Sequence, residues 1–246
     1  MRILAIVSYN GTNYQGWAKQ ANKNTVQDTI EGVLSQYFNR PISIYAAGRT
    51  DAGVHAAGQR FHFDVDADNV DLSRMQYSIN CMLPVDIKIK NFEKVNDEFH
   101  ARFSAKEKNY KYSIMFTSKN VFFYPLMWLM PEKIDFDLLN EVLTYFQGTH
   151  DFRNFTSKEE DDQNFVRTIY EVRIKKIDKS TINIFFRGNG FMRYMIRYIV
   201  GVSIEVAKGK MSLDKVKELL DPKTNERHIV SAKAPANGLI LVDVIY

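Results

Sequence analysis

The sequence predicts an α+β protein made of two halves with the same layout. In the first half, alternating apolar runs and runs with helical spacing follow the order strand, helix, strand, strand, helix, strand. That order is the ferredoxin-like (RRM-like) arrangement. The second half follows a similar order without repeating the sequence, and no flexible linker separates the halves. We therefore expect two domains, residues 1–104 and 105–246, with a central mostly antiparallel sheet and a cleft between the halves.

The elements of the first half are assigned from periodicity and from helix signals. Thr25 is a good helix cap, and Pro84 ends the second helix because proline cannot continue one. Cys81 lies on that second helix, and as a single cysteine it is expected to be a small core side chain. The predicted strands are 1–10, 41–47, 59–65 and 85–89, and the predicted helices are 26–37 and 72–83.

The second half contains a strongly apolar helix that carries charges on one face. Arg193, Arg197, Gly201 and Glu205 are spaced four residues apart, so they share that face. A buried arginine is costly unless a carboxylate or phosphate meets it. Glu205, solvent or Asp51 in the cleft could each satisfy Arg197. The predicted strands are 109–116, 166–174, 181–187 and 239–244, and the predicted helices are 136–146, 191–208 and 212–220.

The amino-acid composition favours a globular protein over a disordered, exported or membrane-spanning one. Of 246 residues, 45% are hydrophobic and 25% are charged, which is the balance of a globular protein. The apolar run after Arg2 is too short for a signal peptide, and the most apolar segment, 191–207, contains three charges, so we expect neither export nor a membrane span. A single cysteine fits a reducing compartment, and we predict a cytoplasmic protein.

The net charge of +4 is unevenly distributed. Residues 101–119 contain five cations, one acid and interleaved aromatic rings, a mixture typical of phosphate contact and base stacking, although a strand with one solvated cationic face is an equal alternative. An acidic run at 159–162 would repel RNA and is expected to lie elsewhere. The five cations are Arg102, Lys106, Lys108, Lys111 and Lys119.

Residues 46–58 are the stretch around which the chain is organised. Their glycines surround Arg49, Asp51 and His55, and an arginine beside Asp51 keeps that carboxylate ionised. A lone aspartate can be a base, a nucleophile, a metal ligand or a phosphate-transfer residue. The five histidines lack metal-ligand spacing, and Gly53 stands where an aspartyl-phosphate phosphatase usually has a second aspartate. The residues thus favour an aspartate acting on a ribose without metal or redox cofactor.

Residues 48–55, Gly-Arg-Thr-Asp-Ala-Gly-Val-His, resemble the signature of the TruA-type tRNA pseudouridine synthases. Further blocks similar to that family follow in the family's order along nearly the whole chain. They lie at 9–20, 25–27, 99–105, 148–155, 166–169, 191–201 and 234–241. The resemblance implies a pseudouridine synthase fold.

The resemblance also implies roles for individual residues. Asp51 would be the catalytic nucleophile, Tyr110 would stack on the target base, and Arg197 would pair with Asp51 and hold it ionised. Arg49 would stabilise a nucleotide flipped out of the RNA stack, since the glycosidic bond is inaccessible inside a stem. The remaining expected substrate-binding residues are Thr50, His55, Gln59, Arg102, Lys108 and Leu241.

The implied activity is the isomerisation of uridines 38 to 40 in the anticodon arm of tRNA by a homodimer, with no cofactor and no metal. Two positions depart from the family. Ala18 stands where the family usually has glutamine, and Lys108 stands where arginine is common. A lysine keeps the positive charge but cannot bind phosphate bidentately as arginine does. The alternative is an RNA-binding or RNA-folding protein on the same scaffold, whose synthase activity is secondary or directed at another RNA.

Overall fold

The computed structural model describes residues 1–21, 24–66, 70–117, 121–157, 164–221 and 227–246. These form two compact units, one of residues 1–106 with 240–246 and one of residues 107–239. Both combine helices with mostly antiparallel strands, which confirms the predicted α+β class. The predicted cleft stays a prediction, and Lys119 and the acidic run at 159–162 lie outside the described residues.

The helices and strands largely follow the predicted order. The helices are α1 (Val26–Phe38), α2 (Leu72–Met82), α3 (Phe136–Thr144), α4 (Met195–Ala207) and α5 (Leu213–Leu220). The strands are β1 (Arg2–Tyr9), β2 (Tyr45–Ala46), β3 (His55–Asp64), β4 (Ile87–Val95), β5 (Glu107–Met115), β6 (Trp128–Leu129), β7 (Gly148–Asp151), β8 (Val166–Lys176), β9 (Thr181–Gly188) and β10 (Leu239–Ile245).

In the first unit the strand order is β4–β1–β3, with β2 and β10 both on the other edge of β3. The order of the first four strands is that of a ferredoxin-like sheet. β10 runs parallel to β3 and pairs Leu241 with Ala56. Its contacts group residues 240–246 with the first unit, whereas the predicted domains, 1–104 and 105–246, placed this strand in the second half.

The predicted strand 41–47 is wrong over most of its length, since the strand pairing with β3 is limited to Tyr45 and Ala46, followed by one hydrogen bond from Ala47 N–H to Arg60 O at 2.7 Å. Two backbone N–H groups of this segment donate to side chains of α1 instead. Ile42 N–H donates to Ser35 Oγ at 2.9 Å, and Ile44 N–H donates to Glu31 Oε1 at 2.8 Å. Once α1 takes these donors, they cannot join a ladder.

The helix caps follow the sequence, but one burial prediction fails. Thr25 accepts the N–H of Asp28 at the start of α1, and Asp71 caps α2 by accepting the N–H of Arg74. α2 buries Met75 and Ile79, which share one helix face. Cys81 is exposed, so the expectation that it is a core side chain is wrong.

In the second unit the strand order is β5–β9–β8–β7, antiparallel throughout, with β6 parallel to β5. α4 is almost wholly buried, as its apolar composition predicts. It begins at Met195 and not at Phe191, because Tyr194 has φ +62° and occupies the left-handed region. A helix cannot continue through such a residue.

His62 on β3 is buried, and its Nδ1 accepts the N–H of Ala101 at 3.1 Å. Burial, followed by the positive charges of Arg2 and His100, lowers the pKa of His62 to about 4. Asp64 opposes that shift. The imidazole therefore stays neutral over most of the range in which an exposed histidine would be protonated.

This depressed pKa predicts a loss of stability in mild acid. Between pH 6.5 and 4 the His62 imidazole is protonated in the unfolded chain but stays neutral in the folded chain. The free energy of unfolding therefore falls by about 1–3 kcal/mol as the pH is lowered across that range. His62→Asn keeps an acceptor for Ala101 without a titrating group. Urea unfolding as a function of pH should give a shallower decline for this variant, and an unchanged decline would contradict the assignment.

Candidate functional site

The loop that carries Asp51, residues 47–54, connects β2 to β3 and is held by main-chain hydrogen bonds. Trp17 N–H donates to Thr50 O at 3.1 Å, and Gly53 N–H donates to Tyr14 O at 3.2 Å. Within the loop, Val54 N–H donates to Asp51 O at 3.1 Å. The segment that follows β1 therefore clamps the loop on both sides of Asp51.

Two glycines allow that segment to approach so closely. A Cβ on Gly16 would lie 2.7 Å from Thr50 O, and Gly16 also has φ +95°. A Cβ on Gly11 would lie 2.1 Å from Val54 O. Any other residue at either position would push the backbone that carries Asp51, because real Cβ atoms do not come this close to a carbonyl oxygen.

Three of the expected substrate-binding side chains are buried beneath the loop and hold it in place. Thr50 Oγ1 shares a 2.8 Å hydrogen bond with the hydroxyl of Tyr9, whose pKa is raised by burial. His55 Nδ1 accepts the N–H of Gly11 at 3.0 Å, and Gln59 Nε2 donates to Gly48 O at 2.8 Å. These are contacts of supporting residues, and contact with substrate stays a prediction.

The loop presents its charged residues outward. Arg49 is exposed and Asp51 is half-buried, while Thr50 between them points into the protein. This alternation places a guanidinium and a carboxylate on the accessible side of a backbone that its neighbours hold rigidly. Such a carboxylate is suited to act on a docked ligand, because its position costs no further ordering.

Arg102 and Leu241, also expected to bind substrate, differ in accessibility. Arg102 is exposed, with its guanidinium carbon 5.7 Å from the ring centroid of Phe103. Its backbone N–H donates to His100 Nδ1 at 3.1 Å. Leu241 is buried in β10. Arg102 is thus open to an anion, whereas Leu241 supports the strand beside β3.

The second unit carries Tyr110 and Lys108 on β5, opposite Phe186 and Gly188 of β9. Tyr110 is buried, and the ring of Phe191 packs against it edge to face with centroids 5.2 Å apart. Lys108 is half-buried. The Tyr110 ring is therefore fixed by its strand and by an aromatic neighbour.

Arg197 lies on α4 and is half-buried although most of this helix is fully buried. Its Nε donates to Ala234 O at 2.8 Å, and its guanidinium carbon lies 5.1 Å from the ring centroid of Tyr194. The carbonyl and the ring fix the guanidinium plane. Sequence periodicity identified the residue but gave no signal for either contact.

Within the described ranges, no group of three or more His, Cys, Asp or Glu side chains is placed to hold a metal ion. No helix in that part of the chain has the length and apolar character needed to cross a membrane.

Comparison with known proteins decides the family. A family model described as tRNA pseudouridine synthase matches residues 5–104 and 142–246. The chain belongs to the tRNA pseudouridine synthase family. The matched ranges include Arg49, Asp51 and Arg197, while Lys108 and Tyr110 lie between them. The prediction of an enzyme, an isomerase of this family, is thereby confirmed.

Full-length relatives support the same assignment. The chain is 38% identical over 243 residues to tRNA pseudouridine synthase A of Acetivibrio thermocellus, covering 98% of each chain. It is 39% identical over 248 residues to the protein of the same name from Anoxybacillus flavithermus, covering all of this chain and 98% of the relative. A chain of a solved Cbf5–Nop10–Gar1 complex is 10% identical to this chain, with a TM-score of 0.38. The match covers 82% of this chain and 54% of the chain in the complex, and the similarity is too low to support a conclusion.

Proposed function

We propose that the chain converts uridine to pseudouridine in the anticodon arm of tRNA, at positions 38 to 40. The observation that carries the proposal is the match to the tRNA pseudouridine synthase family across both units. The geometry of the first unit agrees with it, since the clamped loop holds Asp51 half-exposed next to an exposed arginine.

In the proposed reaction Asp51 attacks or deprotonates the ribose of the target nucleotide, and the bond between N1 and C1′ breaks. The uracil then rotates, and C5 forms the new bond to C1′ while the Asp51 carboxylate leaves C1′ or, in the deprotonation route, while the proton returns to the ribose. The proton on C5 leaves, and N1 takes up a proton, so the product is an isomer of the substrate. The scheme requires an ionised carboxylate and a nucleotide that has been flipped out of the stem.

The other residues serve this step in the proposal. Arg49 stabilises the flipped nucleotide, and its exposed position leaves it accessible to a phosphate. Tyr110 stacks on the base and assists proton movement, and Arg197 acts as the family's active-site arginine. Arg102 and Lys108 bind the RNA, and the buried Thr50, His55, Gln59 and Leu241 complete the proposed substrate-binding set. We further propose a cytoplasmic homodimer that uses neither metal nor cofactor.

The test is tritium release from tRNA labelled at uridine C5, because C5 loses its hydrogen only when it becomes the glycosidic carbon. Transcripts that keep a uridine at 38, 39 or 40 should release tritium, and a transcript with cytidine at all three should not. Release from that last transcript would place the reaction at other uridines. Tight tRNA binding without release from any transcript would favour the RNA-binding alternative.

A further inference from the structure

Three cations of the second unit surround one aromatic ring. Lys233 Nζ lies 4.4 Å from the ring centroid of Tyr194, and the guanidinium carbons of Arg193 and Arg197 lie 4.9 and 5.1 Å from it. Arg193 also donates to the Tyr194 hydroxyl at 3.1 Å. We call these four residues the Tyr194 cluster.

Two chain segments far apart in sequence are locked together to form this cluster. A Cβ on Gly201 of α4 would lie 2.4 Å from Ala232 O, so only glycine lets the segment before β10 lie against the helix. Ala234 N–H donates a hydrogen bond to Arg197 O at 3.0 Å, and Arg197 Nε donates one to Ala234 O at 2.8 Å. Lys233 is thereby fixed between Ala232, which lies against Gly201, and Ala234, which is hydrogen-bonded to Arg197.

The ring is brought to the cations by an unusual backbone conformation. Tyr194 is one of two described residues other than glycine with positive φ, at +62°. This left-handed residue precedes α4 and turns its side chain beneath Lys233 and both arginines. A non-glycine residue in this region costs conformational energy, so the surrounding contacts must hold it there.

Two cations of the cluster, Arg193 and Lys233, have no acidic partner in the described part of the chain. Arg193 and Lys233 are both exposed, and neither lies within salt-bridge distance of any described carboxylate. Like charges gathered around one ring repel one another, and an anion placed among them relieves that repulsion. A phosphate suits this group because arginine binds it bidentately and lysine as a point charge.

We propose that Arg193 and Lys233, held on either side of Tyr194, bind a phosphate of the RNA backbone beside Arg197. This inference rests on the proposed function for the identity of the RNA. It adds two residues that the signature and the expected substrate-binding set did not include. Because these residues contact phosphate and not base, they contribute affinity without sequence preference.

The experiment measures how binding of unmodified tRNA transcript depends on salt between 50 and 200 mM KCl. Each phosphate contact contributes about 0.7–0.9 to the slope of log K against log salt. Because both side chains bind the same phosphate, the Arg193→Gln, Lys233→Gln double variant should reduce the slope by about that amount, and Lys233→Gln alone by a smaller amount. Thermal unfolding of each variant checks that the chain still folds.

Lys217→Gln is the matched control. Lys217 is a lysine of the same unit that lies 5.0 Å from the ring centroid of Tyr145, but the Asp214 carboxylate lies 3.4 Å from its Nζ. Because an internal acid already balances this lysine, its replacement should leave the salt slope unchanged. A slope loss equal to that of Lys233→Gln would show a general effect of net charge and would overturn the proposal.

A second probe, single-stranded poly(U), separates this inference from the proposed function. If tRNA does not bind but the poly(U) slope falls in the two variants, the phosphate site stands and the tRNA assignment fails. If tRNA binds tightly and its slope is the same in wild type and in both folded variants, the phosphate site is overturned while the synthase proposal stands.

Discussion

Replacing Asp51 with asparagine is expected to abolish pseudouridine formation while leaving tRNA binding intact. Asparagine has nearly the same shape, but it carries no negative charge and cannot act as the nucleophile or base. The loop should survive, because Val54 N–H donates to the carbonyl oxygen of Asp51, which the variant keeps. Tritium release under single-turnover conditions should fall by about 10⁴-fold or more, the scale seen when a central catalytic group is removed.

The control is Asp97→Asn, an exposed aspartate of the same unit that lies outside the loop. It changes the net charge by the same amount and should keep wild-type release. If Asp51→Asn retained more than a few per cent of the rate, another residue would have to be the nucleophile. If Asp51→Asn also lost tRNA binding, Asp51 would have a structural or binding role beyond the chemistry proposed for it.

The sequence predicted most elements of the first unit because each depends on local signals. The cap at Thr25 and the alternation along β3 belong to short segments, so periodicity detects them. The prediction of a strand at 41–47 was wrong because the backbone N–H groups of this segment donate to Glu31 and Ser35, which lie on α1. Local propensity cannot reveal which partner takes a backbone donor.

The candidate site divides in the same way. Residue types and spacing identified Asp51, Arg49 and Arg197 as candidates, and the family resemblance added Tyr110. What the sequence could not show is the clamp, because it is made by backbone groups of residues 14–17, which lie thirty or more positions before the loop. Backbone contacts leave no pattern of side-chain types except glycines, and the reason for Gly11 and Gly16 is visible only when Val54 and Thr50 are seen beside them.

Replacing Gly16 with alanine is expected to displace the loop that carries Asp51 and to lower both activity and stability. The new Cβ would lie 2.7 Å from Thr50 O and 3.2 Å from Ala52 N, on a backbone with φ +95°. Conformational strain and overpacking together should cost about 2–5 kcal/mol of unfolding free energy. Because Asp51 lies between those two contacts, a shift of about 1 Å should also reduce the rate of tritium release by about 100-fold.

Two other glycines separate the causes of this loss. Gly209 has φ +71° but open space around its Cβ position, so Gly209→Ala reports the conformational strain alone, at about 1–2 kcal/mol, with wild-type activity. Gly32 lies exposed inside α1 with nothing within 4 Å, and Gly32→Ala should stabilise the chain by about 0.5–1 kcal/mol. If Gly16→Ala lost no more stability than Gly209→Ala and kept its activity, the clamp would not be what positions Asp51. A loss of activity confined to Gly16→Ala would show that the close approach of the two backbones, and not the left-handed conformation by itself, holds the carboxylate in place.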